Sequence, residues 1–414
     1  MTDIAGTVPV IAVDKVQAVA LAVCTYYFGV WLKGKVGVLS RYSIPSPVVG
    51  GMFFAIVVSF LEYFNIVKVQ IDSTLQTVLM LGFFTTIGLM ASLRVVKDGG
   101  RLLLGFLLAV TVLVFLQNGM GMAIAEAMGF DKHYGILAGS VSMMGGLGTA
   151  AAFGPYFEET YGITGGTAVA VTAATFGMVA ALLIGGPFGE WCIRRYQVKT
   201  PDEVQQPEPE LHLPDDMDTD ITEQHASAKP NFTNEIMRAV SVTALAMGLG
   251  TIVSNYLGHY ITLPAYIGAM IVATVIRNVG DFSGMYKVEG KGLNAVADIT
   301  LVLFVTMAIN NLKLHELVHL ALPLVVILAC QTILMLIYAW TVLFTAFGRS
   351  YDAVMLSVGG IGFSMGATAN GLANMQAISE KYGSSPRAWL IVSVVGAFLI
   401  DLINAVVITW FGTL

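Results

Sequence analysis

Asp401 and Asn404 are residues whose types and spacing suggest a chemical role. They lie three residues apart in the apolar run Ala388–Trp410, and this spacing places them on one face of a helix. A charge so deep in an apolar segment is costly and is usually functional. Carboxylate and amide oxygens suit a hard cation, so we predict a sodium site, which Thr86 and Asn374 complete. The alternative is a single hydrogen-bonded acid that orients a neighbouring segment.

Two glycine-rich segments form a second candidate site. One reads GSVSMMGGLGTA from Gly139, and the other reads SVGGIGFSMGATANG from Ser357. Dense glycine lets a helix bend, and the amide groups at the start of a new half-helix attract anions. We therefore predict that the bends bind a carboxylate, with close helix packing through small residues as the alternative. The predicted contacts are Ser142, Gly145, Gly146, Gly148, Thr149, Ser364, Gly366, Thr368 and Asn370.

A third pattern, His315-Glu316-x-x-His319, matches the H-E-x-x-H motif, which places two zinc ligands and a general base on one helix face. The motif stands at the edge of an apolar segment, close to Pro323, and no further ligand lies near it in the sequence. A polar helix start is the favoured interpretation. An intramembrane zinc protease is a remote alternative.

The composition indicates which elements must position these residues. Of the 414 residues, 56% are hydrophobic and 12% are charged, whereas a soluble domain carries about 25% charged residues. A net charge of -6 without a basic stripe disfavours nucleic-acid binding. Several apolar runs are long enough to cross a membrane, so we predict an all-α membrane protein. The apolar segments are 12–32, 45–64, 74–93, 101–127, 133–158, 166–192, 236–258, 261–278, 295–312, 317–347, 352–378 and 388–412.

An acidic stretch divides the chain into two membrane parts. Between Lys199 and Lys229 there are nine acidic residues and no lysine or arginine. Such a segment cannot bury enough apolar surface to fold, so residues 199–234 are predicted to be a solvated linker. The predicted domains are therefore a first membrane repeat over 1–198, the linker, and a second repeat over 235–414.

The two membrane parts resemble each other around their glycine-rich segments. A shift of 221 positions aligns Asp131 with Asp352, Gly145 with Gly366, and the Tyr-Gly pair at 161 with the one at 382. Internal duplication is typical of secondary transporters. The two aspartates precede apolar runs, so they are predicted to be helix N-caps.

The distribution of lysine and arginine predicts the topology. If both glycine-rich segments are re-entrant or broken and the N-terminus is outside, 17 of the 21 cations lie on the cytoplasmic side, as the positive-inside rule favours. If both segments cross fully, the bias disappears. We therefore predict two repeats of inverted topology, each with five transmembrane helices and one broken hairpin. The linker is then cytoplasmic, and both termini are periplasmic.

Five stretches carry a resemblance to a known family, the bacterial sodium/glutamate symporters. They lie in the expected order along nearly the whole chain. They are Ile44–Gly51 (IPSPVVGG), Phe83–Leu89 (FFTTIGL), Ala138–Phe153 (AGSVSMMGGLGTAAAF), Gly366–Gly383 (GATANGLANMQAISEKYG) and Ala397–Ala405 (AFLIDLINA).

The resemblance implies a transporter rather than an enzyme. It implies an inner-membrane importer of L-glutamate that uses sodium as the coupling ion, needs no cofactor and forms a homodimer in the lipid bilayer. A transport domain that carries the hairpins would move against a scaffold. The alternatives are a channel, and an uncoupled or proton-coupled carboxylate transporter or exporter.

Two positions depart from the family pattern. The family often has histidine where this chain has Leu147, and proline where it has Ala369. Both lie beside the predicted carboxylate site, so the order of preference among glutamate, aspartate and related acids stays open. The H-E-x-x-H pattern is not a family feature, which further disfavours the protease.

Overall fold

The computed structural model describes residues 9–37, 39, 44–94, 100–201, 232–257, 265–284, 286, 290–312 and 320–414. Each of the twelve predicted apolar segments contains at least one helix. The helices of the first half are α1 (Lys15–Lys35), α2 (Ser46–Tyr63), α3 (Thr74–Met90), α4 (Gly100–Ala127), α5 (Lys132–Ile136), α6 (Gly146–Tyr161) and α7 (Gly166–Tyr196). Those of the second half are α8 (Phe232–Leu257), α9 (Ala265–Ser283), α10 (Lys291–Asn310), α11 (Ala321–Ala346), α12 (Tyr351–Met365), α13 (Thr368–Tyr382) and α14 (Pro386–Gly412).

Eight of the described helices are long and apolar enough to cross a membrane, namely α1, α2, α4, α7, α8, α10, α11 and α14. Helix α3 is apolar but has 17 residues, and α9 carries a buried ion pair between Arg277 and Asp281 near its end. Helices α6, α12 and α13 have only 15 or 16 residues each, whereas a helix that crosses the membrane once needs about 20 residues. The protein is a nearly all-helical, multi-pass membrane protein.

Two short strands are a feature that the sequence analysis missed. Strands β1 (Val10–Val13) and β2 (Lys68–Ile71) pair in parallel, with Val10 opposite Lys68. Strands of four residues are too short for a reliable alternating pattern, and their pairing joins chain segments that are far apart in sequence. The sheet ties the start of α1 to the segment that leads into α3.

The first three helices of each half form one group, which we call the six-helix bundle (α1, α2, α3, α8, α9 and α10). Within it α2 packs against α10, and α9 packs against α3. The contacts of this bundle therefore join the two halves of the chain. Where α3 meets α9, Gly88 approaches the carbonyl oxygen of Met270 so closely that a side chain would not fit.

The remaining helices form a second group, the hairpin bundle (α4 to α7 and α11 to α14). Helix α12 is its centre, because every residue from 353 to 366 is buried and the helix lies against α7, α13 and α14. A helix that is apolar on all sides belongs in such an interior. The π-helical turns of the described residues, at 137–141, 339–346 and 395–399, all lie in this bundle.

The two bundles meet along a narrow seam. Helices α6 and α7 contact α10, and the π-helical turn of α14 contacts α3. A cavity of about 240 Å³ opens at this seam, with Gln76 and Asn311 on the six-helix bundle and Glu158 and Thr167 on the hairpin bundle. By the predicted topology this cavity faces the periplasm.

The helix caps of the two hairpins differ from the prediction at one position. Asp131 caps α5 as predicted, by accepting a hydrogen bond from the backbone N–H of His133. Asp352 was wrongly predicted to be a cap, because Ser350 caps α12 instead. Asp352 lies in the first turn and accepts a hydrogen bond from the hydroxyl of Ser385 at 2.6 Å. That bond fastens the start of α12 to the start of α14.

Candidate functional site at the hairpin tips

The first glycine-rich segment is a broken helix, as predicted. Its first arm is α5 with the π-helical turn that follows it, where Gly139 has non-helical backbone angles (φ -89°, ψ -130°). The chain then turns over 142–145 and restarts as α6. Gly146 begins this second arm with φ +61°, a conformation that glycine adopts without steric cost. The break therefore lies at the predicted residues.

The second glycine-rich segment is broken at the matching place. Helix α12 ends at Met365, and Gly366 (φ -151°, ψ -93°) and the extended Ala367 follow before α13 begins at Thr368. The two tips touch, since a Cβ atom on Gly146 would lie 2.5 Å from the carbonyl oxygen of Gly366. The fold thus brings together two segments that are 220 residues apart in the sequence.

Unbonded backbone amides collect at this contact. Neither Gly145 nor Ala367, the residues that precede α6 and α13, caps its helix with a side chain. Among the described residues no hydrogen bond engages the N–H groups of Leu147 and Gly148 or those of Thr368 and Ala369. Helix N-termini of this kind bind anions through their amides and their positive dipole ends. The touching tips are therefore suited to a carboxylate.

Three of the predicted contact side chains are already bonded to backbone carbonyls. The Ser142 hydroxyl donates to Ala170 O at 2.7 Å or to Leu137 O at 2.5 Å. The Thr368 hydroxyl donates to Gly396 O, and the Asn370 amide donates to Met178 O. These side chains hold the tips in place within the hairpin bundle.

Other predicted contact residues shape the tip surface. A Cβ on Gly145 would lie 2.4 Å from the side chain of Thr149, and one on Gly366 would lie 3.0 Å from Met178 Cα. A Cβ on Gly148 would touch the ring of Phe83, in α3, at 3.0 Å. The Thr149 side chain is 5% exposed, and its hydroxyl bonds to no described residue. Close packing against these atoms leaves little room for a side chain at any of the three glycines.

The four predicted sodium ligands are not joined to one another by any hydrogen bond of the described residues. The Thr86 hydroxyl donates to Phe83 O in its own helix, and the Asn374 amide donates to Ala181 O. The Asn404 amide donates to Ser140 O of the first hairpin at 3.1 Å. Asp401 is half-buried, and no described residue bonds to its carboxylate. The structure thus brings Asn404, but not the whole set, to a hairpin.

Gln117, Asn118 and Gln331 are polar residues within the predicted apolar segments, where a contact between helices is more expected of each than a ligand role. The structure places them around the hairpins, where Gln117 Nε2 donates to Ser364 O and Asn118 Oδ1 accepts from the N–H of Ser140. The Gln331 amide donates to Gln117 O at 2.7 Å. Two adjacent amide side chains in the middle of an apolar segment are the sequence signal that could have drawn attention to this site.

The H-E-x-x-H pattern at 315–319 lies outside the described residues. Within the described part of the chain, no group of three or more histidine, cysteine, aspartate or glutamate side chains is arranged to hold a metal ion. The polar groups of the candidate site are amides and hydroxyls, together with one carboxylate, that of Asp401.

Broken, touching hairpins inside a bundle of membrane-spanning helices are typical of secondary transporters. The profile of the sodium/glutamate symporter family matches residues 11–384. The chain is 37% identical to the sodium/glutamate symporter of Escherichia coli (strain K12), over 95% of this chain and 96% of that protein. It is 34% identical to that of Haemophilus influenzae (strain ATCC 51907 / DSM 11121 / KW20 / Rd), over 94% and 95%. The chain belongs to the sodium/glutamate symporter family, whose members are transporters and not enzymes.

Proposed function

We propose that this protein imports L-glutamate together with sodium across a bacterial inner membrane. One observation carries the proposal, namely that four unbonded amides gather where the tips of two broken hairpins touch. The relatives are named for sodium and glutamate, and an anion site of this kind agrees with those names.

The charge of the substrate explains why the ion is needed. Glutamate carries two carboxylates and one ammonium group, and the tip segments 139–150 and 357–371 contain no lysine or arginine. Two helix N-termini supply roughly half a positive charge each, and bound sodium supplies more. Substrate affinity then depends on the ion, and by linkage the ion's affinity depends on the substrate. This mutual dependence couples the two fluxes.

An elevator-type movement of the hairpin bundle is supported by the way the tips are attached. Helix α13 is bonded to α7 through Asn370 and Asn374, and farther along Lys381 pairs with Glu190 of α7 at 2.8 Å. The second hairpin is thus fastened to its bundle at three levels. We propose that the hairpins move with their bundle past the six-helix bundle.

Reciprocal packing supports the inverted repeats. Helix α2 of the first half packs against α10 of the second, and α9 packs against α3, which is the pattern expected of two related halves. The shift of 221 also pairs Gly145 with Gly366, and both glycines lie at helix breaks. We propose five spans and one hairpin per repeat, with both termini periplasmic, the 199–234 linker cytoplasmic and the chain homodimeric.

A proton-coupled or uncoupled carboxylate transporter is the second candidate. The unpaired carboxylate of Asp401 favours proton coupling, because an acid within a membrane helix is a common proton carrier. Sodium coupling makes a different prediction from proton coupling. Substrate should accumulate when a sodium gradient is the only gradient present, and not when a proton gradient is the only one.

Uptake of labelled glutamate into proteoliposomes tests the proposal. Sodium, lithium and proton gradients are imposed separately, with a potassium-selective ionophore and equal potassium on both sides to hold the potential at zero. We expect accumulation above the external concentration with an inward sodium gradient and not with a proton gradient. Accumulation driven by protons without sodium, or mere equilibration under every gradient, would contradict sodium symport.

A further inference from the structure

A cluster of basic and aromatic side chains lies where helices α7 and α11 end. Arg195 and Tyr196 are the last two residues of α7, Trp340 lies near the end of α11, and Arg349 follows α11. The guanidinium carbon of Arg349 is 5.4 Å from the centroid of the Tyr196 ring, and that of Arg195 is 5.9 Å from it. The indole N–H of Trp340 donates a hydrogen bond to the Tyr196 hydroxyl at 2.8 Å. We call these four residues the arginine–tyrosine cluster.

The ring of Tyr196 gives the cluster a fixed centre. It packs on the ring of Phe344 of α11, with the two centroids 5.1 Å apart, and Phe344 is fully buried. Each arginine is attracted to the face of the Tyr196 ring by a cation–π interaction. These contacts orient the two guanidinium groups, but they leave both positive charges in place.

The backbone places Arg349 beside this ring in a strained conformation. Its φ of +53° lies in the left-handed region, which a residue with a long side chain rarely adopts. Its N–H donates to Phe344 O at 3.0 Å, so the strained turn is part of the end of α11. Glycine would adopt this conformation without strain. The strain therefore indicates a role for the arginine side chain.

The two arginines of the cluster carry charges that no described acid neutralises. At this end of the hairpin bundle, Glu190 forms ion pairs with Arg194 and with Lys381. Among the described residues, no carboxylate pairs with Arg195 or Arg349, and no oxygen accepts a hydrogen bond from their guanidinium groups. Two like charges beside one ring repel each other, so an anion that contacts both would relieve this repulsion.

Two exposed tryptophans indicate that the cluster lies at the level of the lipid head groups. Trp191 of α7 is 46% exposed and Trp340 is 42% exposed, and the Trp191 ring lies 5.9 Å from the Tyr196 ring. Tryptophan is enriched where membrane-spanning helices reach the boundary between hydrocarbon and water. Because α7 and α11 are both long and apolar enough to span, their ends at the cluster reach that boundary. By the proposed topology it is the cytoplasmic one.

The phosphate group of an anionic lipid fits the chemistry of this cluster. Arginine presents a planar fork of donors that matches phosphate oxygens, and basic residues at a membrane surface attract anionic lipids. The exposed indole of Trp340 offers an apolar face to the rest of the same lipid. A zwitterionic lipid fits less well, because its ammonium group offsets the charge of its phosphate.

We propose that the arginine–tyrosine cluster binds the phosphate head group of an anionic phospholipid. The cluster contains none of the tip residues, and its ligand is neither the transported acid nor the coupling ion. Because α7 and α11 both belong to the hairpin bundle, the lipid ties the end of this bundle to the membrane surface. A movement of the bundle along the membrane normal then has to carry the head group with it or release it.

Substitution of each arginine by glutamine tests this proposal. Arg195→Gln and Arg349→Gln each remove one charge from an exposed position, and neither breaks an ion pair of the described residues. Arg194→Gln is the matched control, because Arg194 is exposed and adjacent to the cluster in the sequence but is paired with Glu190.

The measurement is the melting temperature of the purified full-length protein in a neutral detergent, titrated with phosphatidylglycerol or phosphatidylcholine at constant ionic strength. We expect phosphatidylglycerol to raise the wild-type melting temperature much more than phosphatidylcholine does. In Arg195→Gln and in Arg349→Gln, the apparent dissociation constant for phosphatidylglycerol should rise about fivefold or more, while Arg194→Gln stays within about twofold of wild type. Without lipid, all three variants should melt close to the wild-type temperature, because the substituted side chains are exposed.

Inorganic phosphate is the third titrant, and we expect it not to reproduce the stabilisation. Stabilisation by inorganic phosphate equal to that by phosphatidylglycerol would reject a lipid in favour of a free anion. Equal stabilisation by the two lipids would also overturn the proposal, as would a wild-type phosphatidylglycerol titration in both cluster variants.

An equal loss of affinity in Arg194→Gln would overturn the proposal too, because it would indicate a general attraction to surface charge. If one cluster variant fails to fold, the other gives the same readout. None of these measurements involves glutamate or sodium, so their results are independent of the proposed symport.

Discussion

Ala369 lies at the tip of the second hairpin, where the family often has proline. Its side chain is exposed, its N–H bonds to no described residue, and it is the second residue of α13. A helix does not need the amide hydrogen at that position. The amide can consequently be removed without loss of an intrahelical bond.

We expect Ala369→Pro to leave glutamate affinity at saturating sodium within about threefold of wild type, because the family often has proline at this position and the missing N–H has no intrahelical partner. Ala369→Gly retains the amide hydrogen and is the control. Equilibrium binding of labelled glutamate, with the melting temperature as a check on folding, measures the effect. A well-folded proline variant with an affinity about tenfold or more below that of Ala369→Gly would show that this amide contacts substrate.

Asp401 offers a second test at the scale of a single residue. If it compensates the charge of bound sodium, Asp401→Asn lowers the apparent sodium affinity much more than the glutamate affinity measured at saturating sodium. Uptake by the purified variant, titrated with sodium at two pH values, measures both quantities. Glu126→Gln is the control, since Glu126 is an exposed acid in the last turn of α4.

Other roles for Asp401 give different patterns. A structural role predicts low yield or a low melting temperature with an unchanged sodium titration in the protein that survives. A proton-coupling role predicts a shifted pH profile with sodium dependence intact. An unaltered sodium titration at both pH values would therefore rule out the assignment to sodium.

At the scale of elements, the two broken hairpins depend on the contact between their tips. Gly146 has a positive φ and no room for a side chain. We expect Gly146→Ala to separate the tips and to abolish measurable glutamate binding, since the new Cβ would lie 2.5 Å from Gly366 O. Gly119→Ala is the control, because Gly119 faces open space in α4 and alanine favours a helix there by about 1 kcal/mol.

Glutamate binding and membrane insertion are measured for both Gly146→Ala and Gly119→Ala. Normal binding by a correctly inserted Gly146→Ala protein would mean that the tips need not touch. Loss of insertion in that variant alone would assign Gly146 to folding rather than to the site.

The helices and the hairpin breaks could be predicted from the sequence because long apolar runs and glycine clusters are local signals. The short sheet between β1 and β2 could not, since its strands are distant in sequence. The bonding of Asn370 and Asn374 to α7 also escaped prediction, because it depends on the rotation of each helix about its axis.

At the scale of the whole molecule, the two bundles are built from corresponding parts of the two halves. The connection between the halves, 199–234, lies mostly outside the described residues and is rich in acids. We expect deletion of residues 204–228 to leave sodium-driven uptake within about twofold of wild type, because the segment has no core to lose. Abolished transport in a normally inserted deletion protein would give the linker a functional role.

Topology is tested by reporter fusions at Gln206 and at the C-terminus. We expect a cytoplasmic signal from the first fusion and a periplasmic signal from the second, since five spans separate the two sites in the proposed repeat. Matching signals from the two fusions would contradict an odd number of spans in the second half. A fusion within 313–319, predicted to be periplasmic, provides an internal reference.

The short helix α3 has a consequence for electrical behaviour. Its 17 residues are about 26 Å long, and the cavity at its start, beside Gln76, lets water approach the seam between the bundles. That length is shorter than the bilayer's hydrocarbon thickness of about 30 Å. If the proposed movement of the hairpin bundle carries a net charge across the membrane, the voltage contributes about 2.3 kcal/mol per charge for each 100 mV. Transport with excess sodium charge would therefore generate current and respond steeply to membrane potential.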